Sequence, residues 1–313
     1  MLKATIAVAL LAAVAAPSFA QSSVVLYGRL NLSLESQKFD DTGDRVSEVV
    51  DNSSRIGLRV SEDLGGGLKA GVVIEHGFDA STGQQAGSAY WNRQSEVNLS
   101  GSFGMVRLGN FTSEAYYATA DYISLHNHDT GTSADRLYAD GNFGNQVNKV
   151  SYRTPVMGGF WAEAAVLEAI GGDRGYDAAA NYDAGPLHLG AGFSKRGDAR
   201  QFAVRALYEF GNVTLGSYVQ RDEDTYLLGS RTSGRISAMY TMGASELHVN
   251  AGYADDYSSL DQSNAYQVTL GYNYNLSKRT KVYGFYTRLG KDEVLHVYGG
   301  NFNSFALGIR HNF

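Results

Sequence analysis

The sequence predicts an all-β chain: a sixteen-stranded antiparallel β-barrel that spans a membrane. Three observations predict it. Apolar and polar residues alternate at every second position through most of the chain, the period of a strand with two unlike faces. About sixteen such stretches occur, and most run about 9–11 residues, the length of a tilted membrane-spanning strand. The connections between them are short at one end and mostly long at the other, as in an outer-membrane barrel.

The first twenty residues stand apart from this pattern. Met1-Leu2-Lys3 is a short positive start, and Ala4 to Ala16 is small and apolar apart from Thr5. Pro17-Ser18-Phe19-Ala20 ends in a small-x-small pattern, so residues 1–20 are expected to be a signal peptide cleaved after Ala20. The apolar run is shorter than the roughly 20 residues of a spanning helix. Residues 21–313 are then the barrel.

Leu26, Leu30, Leu32 and Leu34 share one parity, and Tyr27, Arg29, Asn31, Ser33 and Glu35 the other. The second strand sets Ile56, Leu58 and Val60 against Arg55, Gly57 and Arg59. Asp63-Leu64-Gly65-Gly66-Gly67 forms a tight turn before Leu68, Ala70, Val72 and Ile74 resume the apolar face. A phosphate-binding loop would need a helix pattern and a Lys-Ser/Thr after the glycines, and neither follows. The alternation continues through 92–100, 104–111, 147–155, 159–169, 176–184, 187–196, 200–210 and 212–222. It then runs through 232–242, 245–255, 264–275, 280–289 and 303–313. Long connections are expected at 36–53, 79–91, 111–146, 223–231, 256–263 and 290–302.

Composition agrees. The chain has 3 prolines and 37 glycines, which suits long ladders, since proline removes a ladder donor. Cysteine is absent, so no disulfide supports an exported fold. The formal charge of −6 becomes one unit more negative when Lys3 leaves. An acidic chain without a basic stripe is a poor nucleic-acid partner. A soluble sandwich would turn the polar parity to water. Here that parity is rich in Gly, Ser, Asn and Arg, as a water-filled lumen would be.

Some motifs carry a resemblance. Ser54-Arg55-Ile56-Gly57 with Glu62-Asp63-Leu64-Gly65-Gly66-Gly67-Leu68-Lys69-Ala70 resembles the second and third strands of β-proteobacterial general porins. Tyr274-Asn275-Leu276-Ser277-Lys278-Arg279-Thr280 and the ending Leu307-Gly308-Ile309-Arg310-His311-Asn312-Phe313 resemble the same family. So does Val150-Ser151-Tyr152-Arg153-Thr154-Pro155. The resemblance covers the mature chain. It implies a homotrimeric porin of the Gram-negative outer membrane, in contact with outer-membrane lipid and lipopolysaccharide. It also implies a third loop folded inward to constrict the pore, and a terminal aromatic, Phe313, read by the barrel-assembly machinery. Gly28 and Ala70 place small residues on the outward parity, where a second copy could pack closely. Two motifs depart from the family: Leu125-His126-Asn127-His128-Asp129-Thr130-Gly131 replaces a Pro-Phe-Gly-like stretch, and Asn110-Phe111 replaces Arg-Gln.

The expected site is the pore. Arg29, Arg55, Arg59, Arg107 and Arg153 fall on the lumen parity and form a basic wall, opposed by Glu35, Glu75 and Glu96. Arg93 falls on the other parity and is left out of the wall. Residues 111–146, read as the constriction loop, carry the acids Glu114, Asp121, Asp129, Asp135 and Asp140. A basic wall facing an acidic loop would set a transverse field, and rings of charge select ions. With Lys149 beside the loop, a modest anion preference is expected for small hydrophilic solutes and ions. His126-x-His128 supplies only two imidazoles, so no metal and no cofactor are expected. The alternatives are a barrel-type hydrolase, for which no nucleophile-elbow motif is present, and a surface-structural or adhesive barrel.

Overall fold

In the computed structural model, residues 22–126, 130–139, 148–291 and 300–313 are described; the expected signal peptide lies outside them. No helix among them is long and apolar enough to cross a membrane. The chain crosses instead with strands, and the alternation decides which side faces lipid. Along the first strand Asn31, Ser33 and Glu35 are buried, at 0%, 2% and 2% exposure, while Leu30 and Leu34 stand out at 43% and 61%. A soluble sandwich would show the reverse. An apolar outside and a polar inside is the arrangement of a barrel in lipid.

The wall strands in chain order begin with β1 (Ser23–Phe39), then β2 (Arg45–Asp51 continued as Arg55–Gly65), β3 (Leu68–Asp79) and β4 (Gln94–Gly101). Next come β5 (Gly104–Asn110), β6 (Lys149–Arg153), β7 (Phe160–Ile170) and β8 (Asp173–Ala184). They are followed by β9 (Leu187–Arg196), β10 (Ala199–Phe210), β11 (Val213–Glu223) and β12 (Ser230–Met242). The last are β13 (Ser245–Ala254), β14 (Ala265–Asn275), β15 (Thr280–Lys291) and β16 (Phe302–Asn312). Each pairs antiparallel with the next, and β16 pairs back on β1 from Arg29↔Asn312 to Phe39↔Phe302. The sheet therefore closes and leaves no edge for lipid to face.

One expected loop is a strand extension. The sequence pattern predicts a connection over 36–53, but β1 runs to Phe39, and Arg45–Asp51 pairs back along it from Lys38↔Arg45 to Leu32↔Asp51. Ser36, Gln37, Lys38, Arg45 and Ser47 carry no membrane-type alternation, because this part of the hairpin stands beyond the apolar band. At its base Ser53 adopts a positive φ of 60°. There Asn52 turns inward, donating to Ser33 Oγ at 2.8 Å and Tyr283 Oη at 3.0 Å.

Turns of two to six residues join the strands at the opposite rim, where Ser23 and Phe313 lie; two-residue turns, 171–172 and 197–198, also occur at the long-loop rim. Between β2 and β3, Gly66 and Gly67 both take positive φ, 61° and 81°, as a two-residue hairpin turn requires. The seam closes with a reciprocal pair: Gly28 N donates to Phe313 O at 3.0 Å, and Phe313 N to Gly28 O at 3.1 Å. The Phe313 ring then covers Gly28, where a Cβ would come 2.3 Å from Cζ. Gly28 is thus occupied by its own chain, which corrects its expected role as a small packing point for a second copy.

Candidate functional site

The lumen holds the described residues of the segment between β5 and β6, 111–126 and 130–139. Ser113 starts it by accepting from Tyr116 N at 3.3 Å, an N-cap for the short helix α1 (Glu114–Tyr116). The helix runs on as a π turn, Tyr117–Asp121. From there the hydrogen bonds trace an outward pass along the inner wall. Ala115 N donates to Asp177 on β8, Arg205 Nε on β10 donates to Ala118 O, and Ser237 Oγ on β12 donates to Ile123 O. At the far end Thr132 N donates to Glu35 on β1, and Thr132 Oγ1 to Ser304 Oγ on β16. A return pass follows. Arg136 N donates to Gln267 on β14, Arg231 on β12 donates to Leu137 O, and Tyr138 Oη donates to Gln201 on β10. Ser237 and Arg205 sit farther from the long-loop rim than Arg231 and Gln201 on the same strands. The outward pass is therefore the deeper one.

Glycines make the deep pass fit. A Cβ on Gly190 would lie 2.1 Å from Ala118 O, on Gly192 2.6 Å from Ala115 O, and on Gly271 2.4 Å from His126 Nδ1. At Gly190 and Gly192 loop backbone approaches strand backbone, and at Gly271 the His126 ring fills the space of a side chain, so glycine is needed at these three lumen positions.

Charge is distributed unevenly. Arg107 is caged, with Glu96 at 2.7 Å, Glu114 at 2.8 Å and Glu163 at 3.1 Å. Arg153 joins the same cluster through Glu163 at 2.7 Å and through Glu114. Burial, helped by the nearby Glu163, pushes the Glu114 carboxyl up from its ordinary range against the pull of Arg153 and Arg107. Asp135 bridges to Arg235 at 2.7 Å and accepts from Tyr218 Oη at 2.7 Å. Burial opposes its charge, but Arg235 and these hydrogen bonds outweigh it and hold the carboxyl low. The two loop acids are therefore locked in contact with arginines, not set across an open gap from them. Asp121 ends the π turn and is half-buried; Asp129 and Asp140 lie outside the described residues.

The remaining wall cations differ in access. Arg29 is buried, with Nη2 3.5 Å from Ser53 O. Arg59 lies over the Tyr27 ring at 4.9 Å. Arg55 approaches Glu75 at 3.8 Å, and Arg93 reaches the same carboxylate at 2.5 Å. Arg93 therefore belongs to the wall, contrary to its expected parity. It precedes β4, whose ladder starts at Gln94↔Glu75, so the alternation does not extend to it. Side-chain exposure is 20% for Arg55, 30% for Arg93 and 26% for Arg153, against 9% for Arg107. Lys149 is fully buried, donating to Thr112 O at 3.1 Å beside the Phe111 ring. Arg205, Arg231, Arg235 and Glu163 were not singled out in the sequence, although strand parity alone places all four inside. Among the described residues no three His, Asp or Glu side chains converge to hold a metal ion.

A closed barrel, apolar outside and charged inside, with long loops at one rim, is a water-filled channel of an outer membrane. The comparisons with known proteins agree. Residues 7–293 match the family model described as Gram-negative porin. Outer membrane porin protein 32 of Delftia acidovorans is 34% identical, covering 91% of this chain and 88% of that one. A major outer membrane protein P.IB of Neisseria meningitidis serogroup B is 28% identical over 96% of this chain and 97% of its own length. Among solved structures, an anion-selective porin from Comamonas acidovorans superposes with a TM-score of 0.77 at 29% identity, covering 94% of this chain and all of that one. The chain belongs to the Gram-negative porin family. It is an outer-membrane channel for passive diffusion of small hydrophilic solutes and ions.

Proposed function

We propose that the 111–146 connection constricts this channel and that the passage favours anions. One observation carries the reading. The loop acids Glu114 and Asp135 are held by Arg107, Arg153 and Arg235, whereas Arg55 and Arg93 both contact the wall residue Glu75 and keep solvent access. Fixed charge beside low-dielectric walls acts more strongly on a permeating ion than charge in open water. Arg55, Arg59 and Arg93 thus form the accessible basic wall, while Arg107 and Arg153 are tied to Glu114 and Glu163 and Arg29 is buried beside Ser53. The preference is modest and fades as salt screens the wall. The Comamonas acidovorans porin, 29% identical, is anion-selective, which supports the sign.

Transport here needs no catalysis and no cofactor. A homotrimer is the proposed assembly, since one of the solved structures sharing the fold, OmpT of Vibrio cholerae, is described in a trimer form. Phe313 is proposed as the residue read by the barrel-assembly machinery. Liposome swelling with anionic and cationic solutes of matched size tests the reading. Faster entry of the anionic solute supports it; equal rates, or faster cationic entry, reject the basic wall.

A further inference from the structure

The deep pass of the loop turns two tyrosines toward the passage. Tyr117 opens the π turn and Tyr122 follows its last residue. A turn closed by bonds from each residue to the fifth beyond it brings residues five apart onto one side. Ala118, Thr119, Ala120 and Ile123 are buried, whereas Tyr117 and Tyr122 are each 39% exposed. Exposure inside a closed ring is exposure to the passage. Both side chains are held from behind. Arg205 Cζ lies 3.6 Å from the Tyr122 ring centroid, and that guanidinium is itself fixed on Ala118 O, Asn181 Oδ1 and Leu189 O. The Tyr122 hydroxyl lies 3.1 Å from His188 Nδ1. Tyr117 is backed by Tyr116 at 5.8 Å between ring centroids, and Tyr116 by Tyr138 at 5.1 Å. An exposed ring held in this way is a flat stacking surface for another ring.

Charge decides which kind of ring fits. Arg55 and Arg93 keep solvent access on the same passage. Arg93 is close enough to Tyr117 for its charge to oppose the upward push that burial gives the hydroxyl pKa. The cation behind Tyr122 draws on the electron density of that ring, so its free face repels an electron-rich, anionic ring less. Asp121, the acid on the turn, is half-buried and already engaged. We propose that the passage binds aromatic carboxylates, with the ring against the Tyr117–Tyr122 face and the carboxylate toward Arg55 and Arg93. The charge half of this proposal rests on the proposed basic wall; the aromatic half rests on the loop. An aliphatic acid would leave the two tyrosine faces unused, and an aromatic cation would meet the arginines.

The test records single channels of the folded protein in a planar bilayer at fixed salt, with benzoate, cyclohexanecarboxylate and benzamide as probes. The two acids share their charge and nearly their size, and differ in the π system of the ring; benzamide keeps the ring and loses the charge. Benzoate is expected to halve the open-channel current at about a two- to tenfold lower concentration than cyclohexanecarboxylate, and at a lower concentration than benzamide. Tyr117→Leu/Tyr122→Leu is expected to bring the two acids together, and Tyr117→Phe/Tyr122→Phe, which keeps the rings, to hold them apart. If the leucine pair does not fold, Tyr117→Leu alone is expected to narrow the difference. Equal block by the two acids in the wild type overturns the proposal, and so does a difference that survives undiminished in the leucine variants. Block by benzamide at the benzoate concentration also overturns it, since that marks a site for any ring. Because the two acids carry the same charge, their comparison is independent of the sign of the pore: a cation preference in plain salt contradicts the basic wall, and equal block contradicts the aromatic face.

Discussion

At the scale of single residues, burial decides which charges a solute can feel. Arg107 and Arg235 lie on the lumen parity but are buried, Arg107 among three carboxylates and Arg235 on Asp135, while Arg55 and Arg93 keep solvent access. Burial also controls His126, whose ring packs against His248 and Phe285 at centroid distances of 5.4 and 5.5 Å. Desolvation first, then His248 and Lys281, push its pKa down to about 3, against the pull of Glu246. An undocked His126 takes up a proton near its ordinary value of about 6.5; the docked one does not until far lower pH. Loop docking is therefore fully stable above that ordinary value and weakens as pH falls, by about 1.4 kcal/mol per unit. Protease cleavage within 111–148 should rise between neutral pH and pH about 5, and His126→Leu should remove that dependence. Cleavage indifferent to pH in the wild type would contradict the buried, neutral imidazole.

At the scale of elements, the strands were legible and the loop path was not. Alternation such as Tyr266, Leu270, Tyr272 and Tyr274 outside against Gln267, Thr269 and Asn273 inside is a local pattern, and it maps directly onto β14. The path of the described loop residues, 111–126 and 130–139, depends on contacts between residues far apart in sequence, such as Thr132 with Glu35 and Asp135 with Arg235. No local period encodes these. Arg93 was misplaced for a related reason: parity holds only while the ladder is continuous. The glycine seats give the loop path a direct test. Gly192→Val puts a branched side chain where Ala115 now lies within 2.6 Å of a built Cβ. It should shift α1, change single-channel conductance and expose the segment to protease, with the barrel still folded. Unchanged conductance and cleavage would show that α1 does not rest on β9.

At the scale of the whole molecule, closure of the ring is the main structural commitment. The last rung joins Gly28 to Phe313, and the terminal ring lies over the glycine. Deleting Phe313 removes that rung and its cover, and should lower the fraction of protein folded in the outer membrane. An undiminished fraction would reduce Phe313 to ordinary strand packing. The closed ring holds the charged wall in fixed geometry, so the most direct measurement of the account is the zero-current potential across a planar bilayer in a salt gradient. The predicted result at low salt is a modest anion preference that fades with screening and shifts toward cations in Arg55→Gln/Arg93→Gln, which leaves Glu75 uncompensated. A strongly cation-selective wild type, or a potential unmoved by removing both arginines, would contradict the basic wall.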